Sequence, residues 1–226
     1  MSYRWDFGPV VANAPLLLQG LENTLKVTAV ALACGLALGL GFALLRLSPR
    51  RWLSWPAGFV IEVFRTTPPL VQLFWFFFAL PLIAGIEMTP FLAAAVTFSI
   101  QSSAFFAEVF RGGIVSIERG QWEAAYAIGM SRRQTLNRIV LPQAVKRMIP
   151  AFLERASELM KTTTLVATIA YADLLFEAND IAQKTFRPLE TFTVAALIYF
   201  VVITAFSLIA RAMERRLAVS GESTVH

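Results

Sequence analysis

Three charged residues share one helical face within a largely apolar stretch in the second half of the chain. Glu154, Glu158 and Lys161 follow the i, i+4, i+7 spacing of one side of a helix. Thr162 and Thr164 flank them. Carboxylates beside an ammonium group offer acceptors to a positive group and a donor to a negative one, which suits a zwitterion. Charges inside a bilayer usually face a bundle interior or a water-filled route, so this face is a candidate lining for such a route.

Two structural explanations of the same charges remain open. Glu158 and Lys161, at i and i+3, can form a simple ion pair on the helix surface. Glu154 and Arg155 can instead extend their side chains to the water at one end of the segment. Spacing alone does not decide between these explanations and a pathway role.

Other polar side chains interrupt two further apolar stretches. Gln72 follows Pro68 and Pro69, and prolines free backbone carbonyl groups, which at membrane depth are tolerated only beside protein or water. Gln101 and Ser102 lie within PFLAAAVTFSIQSSAFFA, where an amide and a hydroxyl either line a route or bond to a neighbouring helix. Gln72, Gln101 and Ser102 therefore join the candidate pathway set.

The composition places these residues in a membrane protein. The 226 residues are 57% hydrophobic and 15% charged, whereas soluble domains are roughly 45–50% apolar and about 25% charged. The mean hydropathy is +0.61. An ordinary soluble domain, a disordered chain and a disulfide scaffold are therefore excluded. Because each span takes about 20 residues, little length is left for a soluble domain.

Cysteine and histidine usage argues against several catalytic classes. Cys34 is the single cysteine and His226 the single histidine, so an intrachain disulfide is impossible, and neither a metal site nor histidine-based catalysis is expected. The Gly-Lys dipeptide of a phosphate-binding P-loop is missing from the sequence. Nucleotide binding is therefore not expected of this chain.

The apolar stretches predict an all-α integral membrane protein that forms one domain over residues 1–226. Five transmembrane helices are expected, at about residues 24–46, 58–80, 89–110, 148–171 and 191–211, with a longer extramembrane loop at residues 111–147. Thirteen lysines and arginines lie on the side of that loop, whereas Arg4, Lys184 and Arg187 lie on the other. The positive-inside rule therefore predicts a cytoplasmic loop, an outside amino terminus and a cytoplasmic carboxyl terminus. This bias explains the net charge of +5, and no nucleic-acid partner is expected.

The loop has a helical pattern of its own. No helix breaker interrupts residues 121–128, and Gly129 follows at a position where a left-handed cap costs a glycine little. Ser131 is placed to cap a second helix, SRRQTLNRIVL, which Pro142 is expected to interrupt. The loop therefore predicts a short helix across the membrane surface, followed by a second helix.

One spacing pattern within this loop is complete. Glu123-Ala124-Ala125 is followed after three residues by Gly129, after nine more by Ile139, and one residue later by Leu141-Pro142. The pattern resembles the EAA loop of ATP-binding-cassette (ABC) importer permeases. The segments RGGI, GQWEAA and LPQA, together with LLLQGLENTLKVT, EVFRTTPPLVQL and KTTTLV elsewhere, resemble the polar amino-acid permeases of the histidine, glutamate, glutamine, arginine and opine group. This resemblance covers about residues 16–210.

The resemblance implies a type I importer permease with five transmembrane helices and a cytoplasmic coupling helix between the third and the fourth. It assigns the contact with a separate cytoplasmic ABC ATPase to Gly120, Glu123, Ala124, Ala125, Gly129, Leu141 and Pro142. ATP and Mg²⁺ then belong to the ATPase subunits, and this chain is a transport subunit, not an enzyme, that binds no cofactor. The other implied partners are a second permease copy or a related permease, an extracytoplasmic (periplasmic) solute-binding protein, the lipid bilayer of the bacterial inner membrane, and a polar amino acid as substrate.

The sequence departs from the family pattern in the fourth predicted span. Glu154 occupies an asparagine-type position and Thr162 an aspartate position, so the resemblance implies no particular amino acid. The alternative function is a subunit of an ion-gradient-driven secondary transporter or channel, in which the carboxylates of the fourth span would relay ions. That alternative leaves the long loop unexplained, and no inverted repeat supports it.

Overall fold

The computed structural model describes the backbone of residues 3–218 and the side chains of residues 3–212. Within that range all regular structure is helical, with no strand, and the prediction of an all-α protein is confirmed. The helices are α1 (Gly8–Ala12), α2 (Ala14–Arg46), α3 (Arg51–Thr66), α4 (Pro69–Ala84), α5 (Pro90–Val115), α6 (Arg119–Ala127), α7 (Arg132–Ile169), α8 (Leu174–Thr185) and α9 (Pro188–Ala218). Residues 219–226, and the side chains of Arg215 and Arg216 that contribute to the predicted orientation, lie outside the described part.

Three helices are each long and apolar enough to cross a membrane: α2, α5 and, as far as Ala212, α9. Two further pairs pass the same test together but are bent, by 105° between α3 and α4 and by 48° between α7 and α8. The described residues therefore hold three to five spans, and five if each bent pair is one span.

The sharp bend between α3 and α4 follows from two adjacent prolines. Thr67 is extended, at φ −77° and ψ 133°, because a proline disfavours helical geometry in the residue before it. Pro68 and Pro69 have no N–H groups, so α3 ends and carbonyl groups of its last turn lose their helical partners. The amide nitrogen of Gln72 donates to two carbonyl oxygens there, those of Phe64 and Thr67, at 2.9 Å each.

The core forms around α5, which packs most extensively against α2. A β-carbon at Gly39 would lie 2.8 Å from the β-carbon of Phe106 and 2.9 Å from the carbonyl oxygen of Ser103. At Gly35, one turn earlier, a β-carbon would lie 2.7 Å from that of Ser102. Small residues four positions apart are typical of spanning helices whose backbones approach this closely.

Pro142 does not interrupt the helix that begins after Ser131, which corrects the expectation from the sequence. Helix α7 continues through a π-helical turn at Leu136–Val140 into the fourth predicted span. The N–H of Leu141 reaches back five residues to the carbonyl oxygen of Leu136. This wider turn accommodates a residue that has no N–H to donate and whose ring would collide with the carbonyl group four residues back in a regular helix.

Candidate translocation and coupling sites

A cavity of about 280 Å³ lies where the bend between α3 and α4 meets α5 and α7. Its lining residues are Arg65, Thr66, Thr67, Pro68 and Pro69 at the bend, Gln101, Ser102, Phe105 and Phe106 of α5, and Arg155, Glu158, Leu159 and Thr162 of α7. Four of the predicted pathway residues are among them: Gln101, Ser102, Glu158 and Thr162. The structure brings these four together, and the bend supplies a further wall. We call this space the first cavity.

Two arginines outside the predicted pathway set contact the ring of Phe105 in the first cavity. The guanidinium carbon of Arg155 lies 4.6 Å from the ring centroid and that of Arg65 lies 5.8 Å from it, within the range of a cation–π interaction. Each arginine also pairs with an acid of its own helix, Arg155 with Glu158 at 2.6 Å and Arg65 with Glu62 at 3.5 Å. Cationic groups therefore border this cavity at two points.

Glu158 pairs with Arg155 and not with Lys161, so the alternative of a Glu158–Lys161 pair is wrong. The two bases are each three residues from Glu158, one on either side, so both can reach it along the helix surface. The ring of Phe105 distinguishes them, because it holds the guanidinium of Arg155 in the first cavity. Phe105 lies one helical turn after Gln101, and this spacing was the signal in the sequence for another lining side chain on α5.

A second cavity, of about 570 Å³, lies between α7 and α9. It is lined by Pro150, Leu153, Glu154, Ser157, Glu158 and Lys161 of α7 and by Ser207, Ala210 and Arg211 of α9. The charged stripe predicted from spacing, Glu154, Glu158 and Lys161, thus faces one cavity. Glu158 borders both cavities, and its side chain is 59% exposed. Across the described residues, no group of three or more His, Cys, Asp or Glu side chains is arranged to hold a metal ion.

Two predicted pathway residues lie outside both of these cavities. Gln72 is buried, and its amide nitrogen bonds to the carbonyl oxygens exposed by the bend. Thr164 donates its hydroxyl hydrogen to the carbonyl oxygen of Lys161 at 2.8 Å. Both side chains satisfy backbone groups, and neither lines the first or the second cavity.

The segment that resembles a coupling helix forms the separate short helix α6, which has one buried and one exposed face. Ala125 is buried, and Trp122 packs against an apolar cluster formed largely by α7. Gly120, Glu123 and Ala124 are exposed. The helix is therefore held by one side and presents an acidic group and small residues on the other.

The exit from α6 has the geometry of a Schellman motif. Gly129 has φ +80°, which confirms the left-handed cap expected there. Its N–H bonds to the carbonyl oxygen of Tyr126 at 2.9 Å, and the N–H of Met130 bonds to that of Ala125 at 3.1 Å. These bonds satisfy carbonyl groups that the end of a helix leaves without partners.

Ser131 begins α7 with a capping box, as its position predicts. Its Oγ accepts from the N–H of Gln134 at 3.3 Å, and its own N–H donates to Oε1 of Gln134 at 2.8 Å. Further along α7, Leu141 is half-buried and Pro142 is exposed. The residues of the expected ATPase contact therefore extend from α6 onto the first turns of α7.

The fold is that of a type I ABC importer permease. A solved structure described as an amino acid ABC transporter with histidines matches with a TM-score of 0.90 at 36% identity, over 95% of this chain and 100% of that one. The methionine ABC transporter MetNI, in an inward-facing conformation, shares the fold with a TM-score of 0.77 at 19% identity, over 91% of this chain and 98% of that one.

Sequence comparison assigns the family. The family described as binding-protein-dependent transport system inner membrane component matches residues 35–219. The arginine transport system permease protein ArtQ of Bacillus subtilis (strain 168) is 36% identical over 212 residues, which cover 94% of this chain and 97% of ArtQ. The glutamine transport system permease protein GlnP of Escherichia coli (strain K12) is 36% identical over 223 residues, which cover 96% of this chain and 99% of GlnP. The chain belongs to this family of inner-membrane transport components.

Family membership decides between the functional classes that the sequence left open. The chain is a membrane-spanning permease subunit of a binding-protein-dependent transport system, and it is not an enzyme. Its location is the inner membrane. The alternative of an ion-gradient-driven transporter or channel is thereby set aside.

Proposed function

We propose that this chain carries polar amino acids as the permease of an ABC importer. An extracytoplasmic solute-binding protein delivers the substrate, and ATP hydrolysis on separate ATPase subunits drives it across the membrane. The observation that carries this proposal is the first cavity, where Arg155, Glu158 and Gln101 meet. A zwitterion needs a cationic donor for its carboxylate and acceptors for its ammonium group, and these side chains supply both. Relatives are named as permeases for arginine, for glutamate/aspartate and for glutamine, and these names support this substrate class.

The ion pair between Arg155 and Glu158 suits a site that a zwitterion occupies in passing. At 2.6 Å the two side chains neutralise each other. A zwitterion that enters between them replaces one pair by two pairs of the same kind, its carboxylate on Arg155 and its ammonium on Glu158. Neither protein charge is left without a partner at any stage, which avoids the large cost of an isolated charge away from water.

A second permease, either a copy of this chain or a related one, covers the charged face of α7 in our proposal. Glu154, Glu158 and Lys161 are exposed on the single chain, and charged side chains at membrane depth are too costly to face lipid. A permease placed there encloses both cavities between the two chains. Rocking of the chains about that interface then gives alternating access.

The exposed face of α6 is the proposed docking site for the ATPase. The small residues Gly120 and Ala124 allow close approach, and the carboxylate of Glu123 offers a partner to a basic group. Gly129 sets the direction in which the chain leaves the helix, and Leu141 and Pro142 extend the surface onto α7. In this proposal the partner subunit holds ATP and Mg²⁺.

The proposed membrane topology has five spans and follows from the candidate spans and the distribution of basic residues. Helices α2, α5 and α9 cross singly, and the pairs α3–α4 and α7–α8 each contribute one bent span, with the part of α7 before about residue 148 in the cytoplasm, so that the chain forms a single five-span domain. The loop at residues 111–147, which contains α6, then lies in the cytoplasm, with the amino terminus outside and the carboxyl terminus inside. This arrangement places the thirteen basic residues on the cytoplasmic side, as the positive-inside rule requires.

Reconstitution of the complete transporter tests the proposed function. The chain, co-expressed with neighbouring ATPase and permease genes, is placed in proteoliposomes, and labelled arginine, glutamine, glutamate or histidine is supplied with the solute-binding protein. We expect uptake of at least one of these amino acids to require both ATP and the binding protein. Vesicles without the binding protein are the control. Uptake that continues without ATP and stops when an ion gradient is dissipated would contradict the proposal.

A further inference from the structure

The first described residues form an arm, residues 3–12, that returns to the beginning of the last helix. The arm is anchored on Glu190, which is fully buried. The hydroxyl of Tyr3 donates to one carboxylate oxygen at 2.5 Å, and the N–H of Asp6 donates to the other at 3.0 Å. Arg187 adds a weaker contact at 3.4 Å and also donates to the carbonyl oxygen of Arg4 at 3.0 Å. We call this set of contacts the Glu190 clamp.

The clamp holds three aromatic rings in a row at the surface. Tyr3 and Trp5 meet edge to face with centroids 5.6 Å apart, and Trp5 and Phe7 are stacked at the same distance. Their exposed fractions are 48%, 57% and 41%. These ring contacts join residues 3, 5 and 7 into one aromatic surface, while the hydroxyl of Tyr3, the N–H of Asp6 and the carbonyl oxygen of Arg4 take part in the clamp.

The clamp places this row beside the start of the apolar part of α9. Glu190 directly precedes the charge-free run of residues 191–210 in α9. Beyond the row, Val10 and Leu17 pack in one cluster with Ala195, on the second turn of that run. The arm therefore contacts the first turn of α9, where the polar beginning of this helix meets its apolar run.

Exposed apolar side chains continue from the arm onto α9. Phe186 is 87% exposed and has φ +56°, a left-handed conformation that is costly for a residue with a side chain. Leu189 and Phe192 follow, both exposed, and lead onto the face of α9 that almost no other part of the described chain covers. Exposed apolar side chains therefore lie both on the arm and at the start of α9, the two segments that the Glu190 clamp joins.

We propose that the arm is an interfacial membrane anchor, with the rings of Tyr3, Trp5 and Phe7 inserted among the lipid headgroups and the Glu190 clamp holding them at that level. Tyrosine and tryptophan are the side chains that collect at this boundary, because one end of each is apolar and the other polar. Donation to the carboxylate of Glu190 raises the pKa of Tyr3, so this hydroxyl keeps the proton that the clamp needs. The clamp residue Glu190 directly precedes the charge-free run of α9, which favours lipid over a docked protein as the occupant.

Tryptophan fluorescence of the complete chain in lipid nanodiscs tests the anchor. Trp52, Trp55, Trp75 and Trp122 are replaced by phenylalanine, so that Trp5 is the one indole that remains. We expect a blue-shifted emission, loss of most of the signal in lipids brominated near the top of the acyl chain, and little quenching by aqueous iodide. Strong iodide quenching without any effect of brominated lipid would overturn the proposal. So would protection from iodide that develops when the solute-binding protein is added, because it would assign the aromatic row to that partner.

A pair of matched variants tests the clamp separately. Glu190→Ala removes the acceptor for Tyr3 and Asp6, and we expect the quenching of Trp5 by brominated lipid to fall. Glu177→Ala makes the same exchange on the neighbouring helix α8, where the side chain is half-buried, and should leave the quenching unchanged. Equal quenching in both variants would overturn the role of Glu190. The measurement on the parent chain decides the location of Trp5 even if Glu190→Ala does not fold.

Discussion

The side-chain amide of Gln72 donates to the carbonyl oxygen of Phe64, 2.9 Å away across the bend between α3 and α4. Phe64 is four residues before Pro68, so it is the carbonyl group that a regular helix would pair with the N–H that proline does not have. Gln72 therefore replaces a missing backbone donor. Its position in a largely apolar stretch is explained by this role and not by the lining of the first or the second cavity.

Gln72→Met should destabilise the bend, because methionine matches glutamine in length but donates no hydrogen bond. The carbonyl groups of Phe64 and Thr67 would lose their donor, and each buried polar group left unpaired costs about 1–3 kcal/mol. We expect a lower unfolding temperature in detergent and reduced uptake in proteoliposomes. Gln19→Met, at an exposed position of α2, is the matched control. An unchanged unfolding temperature for Gln72→Met would refute the role described here.

The contact between α2 and α5 predicts opposite effects for two glycine substitutions on one helix. Gly39→Ala places a methyl group 2.8 Å from the β-carbon of Phe106 and 2.9 Å from the carbonyl oxygen of Ser103, and overpacking of this kind costs about 1–3 kcal/mol. Gly41→Ala meets nothing within 4 Å and should stabilise the helix by about 0.5–1 kcal/mol. Thermal unfolding of both variants measures the difference. Equal stability of the two variants would show that the close approach of α2 to α5 at Gly39 does not contribute to stability.

Substitutions in α6 and at its exit should separate ATP hydrolysis from transport, if α6 is the docking site proposed above. Gly129→Val forces a branched side chain into φ +80°, which costs about 1–2 kcal/mol and redirects the exit from α6. Glu123→Arg reverses the charge on its exposed face. We expect both variants to insert normally but to lose uptake and the stimulation of the ATPase by the loaded binding protein. Gly112→Ala is the control, since a β-carbon there meets nothing within 4 Å. Normal uptake by Glu123→Arg would remove α6 from the coupling role.

Removal of one charge of the first cavity should weaken substrate binding without unfolding the protein. Arg155→Gln takes away the guanidinium that lies over Phe105 and pairs with Glu158. A hydrogen bond to a charged group contributes about 1.5–3 kcal/mol, so the substrate concentration for half-maximal uptake should rise roughly 10- to 100-fold. Lys184→Gln breaks an exposed ion pair with Asp180, which is worth little, and should behave as the parent chain. A parent-like value for Arg155→Gln would argue against substrate contact in this cavity.

Local features at the end of α6 and the start of α7 could be predicted from sequence because neighbouring residues determine them. A glycine after an unbroken helical stretch takes the left-handed cap at Gly129, and a serine three residues before a glutamine forms the capping box at Ser131. The continuation of α7 past Pro142 was not predictable in the same way. A π-helical turn depends on how the segments before and after it pack, and the helix propensities of single residues do not describe this packing.

The partners of Glu158 show where sequence reasoning about the site ends. Spacing places Arg155 and Lys161 at equal distance along the helix, and the choice depends on Phe105 of another helix, 50 positions away in the chain. The contribution of Arg65 is of the same kind, because the 105° bend brings it to the cavity. The residue types predicted that the site would contain charged and polar groups. Which side chains from different helices meet there depends on tertiary packing.

The Glu190 clamp also sets an order for biogenesis. Tyr3 and Glu190 are 187 positions apart, so Tyr3 leaves the ribosome long before Glu190 and is fixed only once α9 has begun. At about 5–20 residues per second that interval is roughly 10 to 40 s. During it the aromatic arm is free of the bundle, and closure of the clamp marks the point at which the last helix has joined the rest. A change that prevents Tyr3 from reaching Glu190 therefore interferes with the end of assembly and not with its beginning.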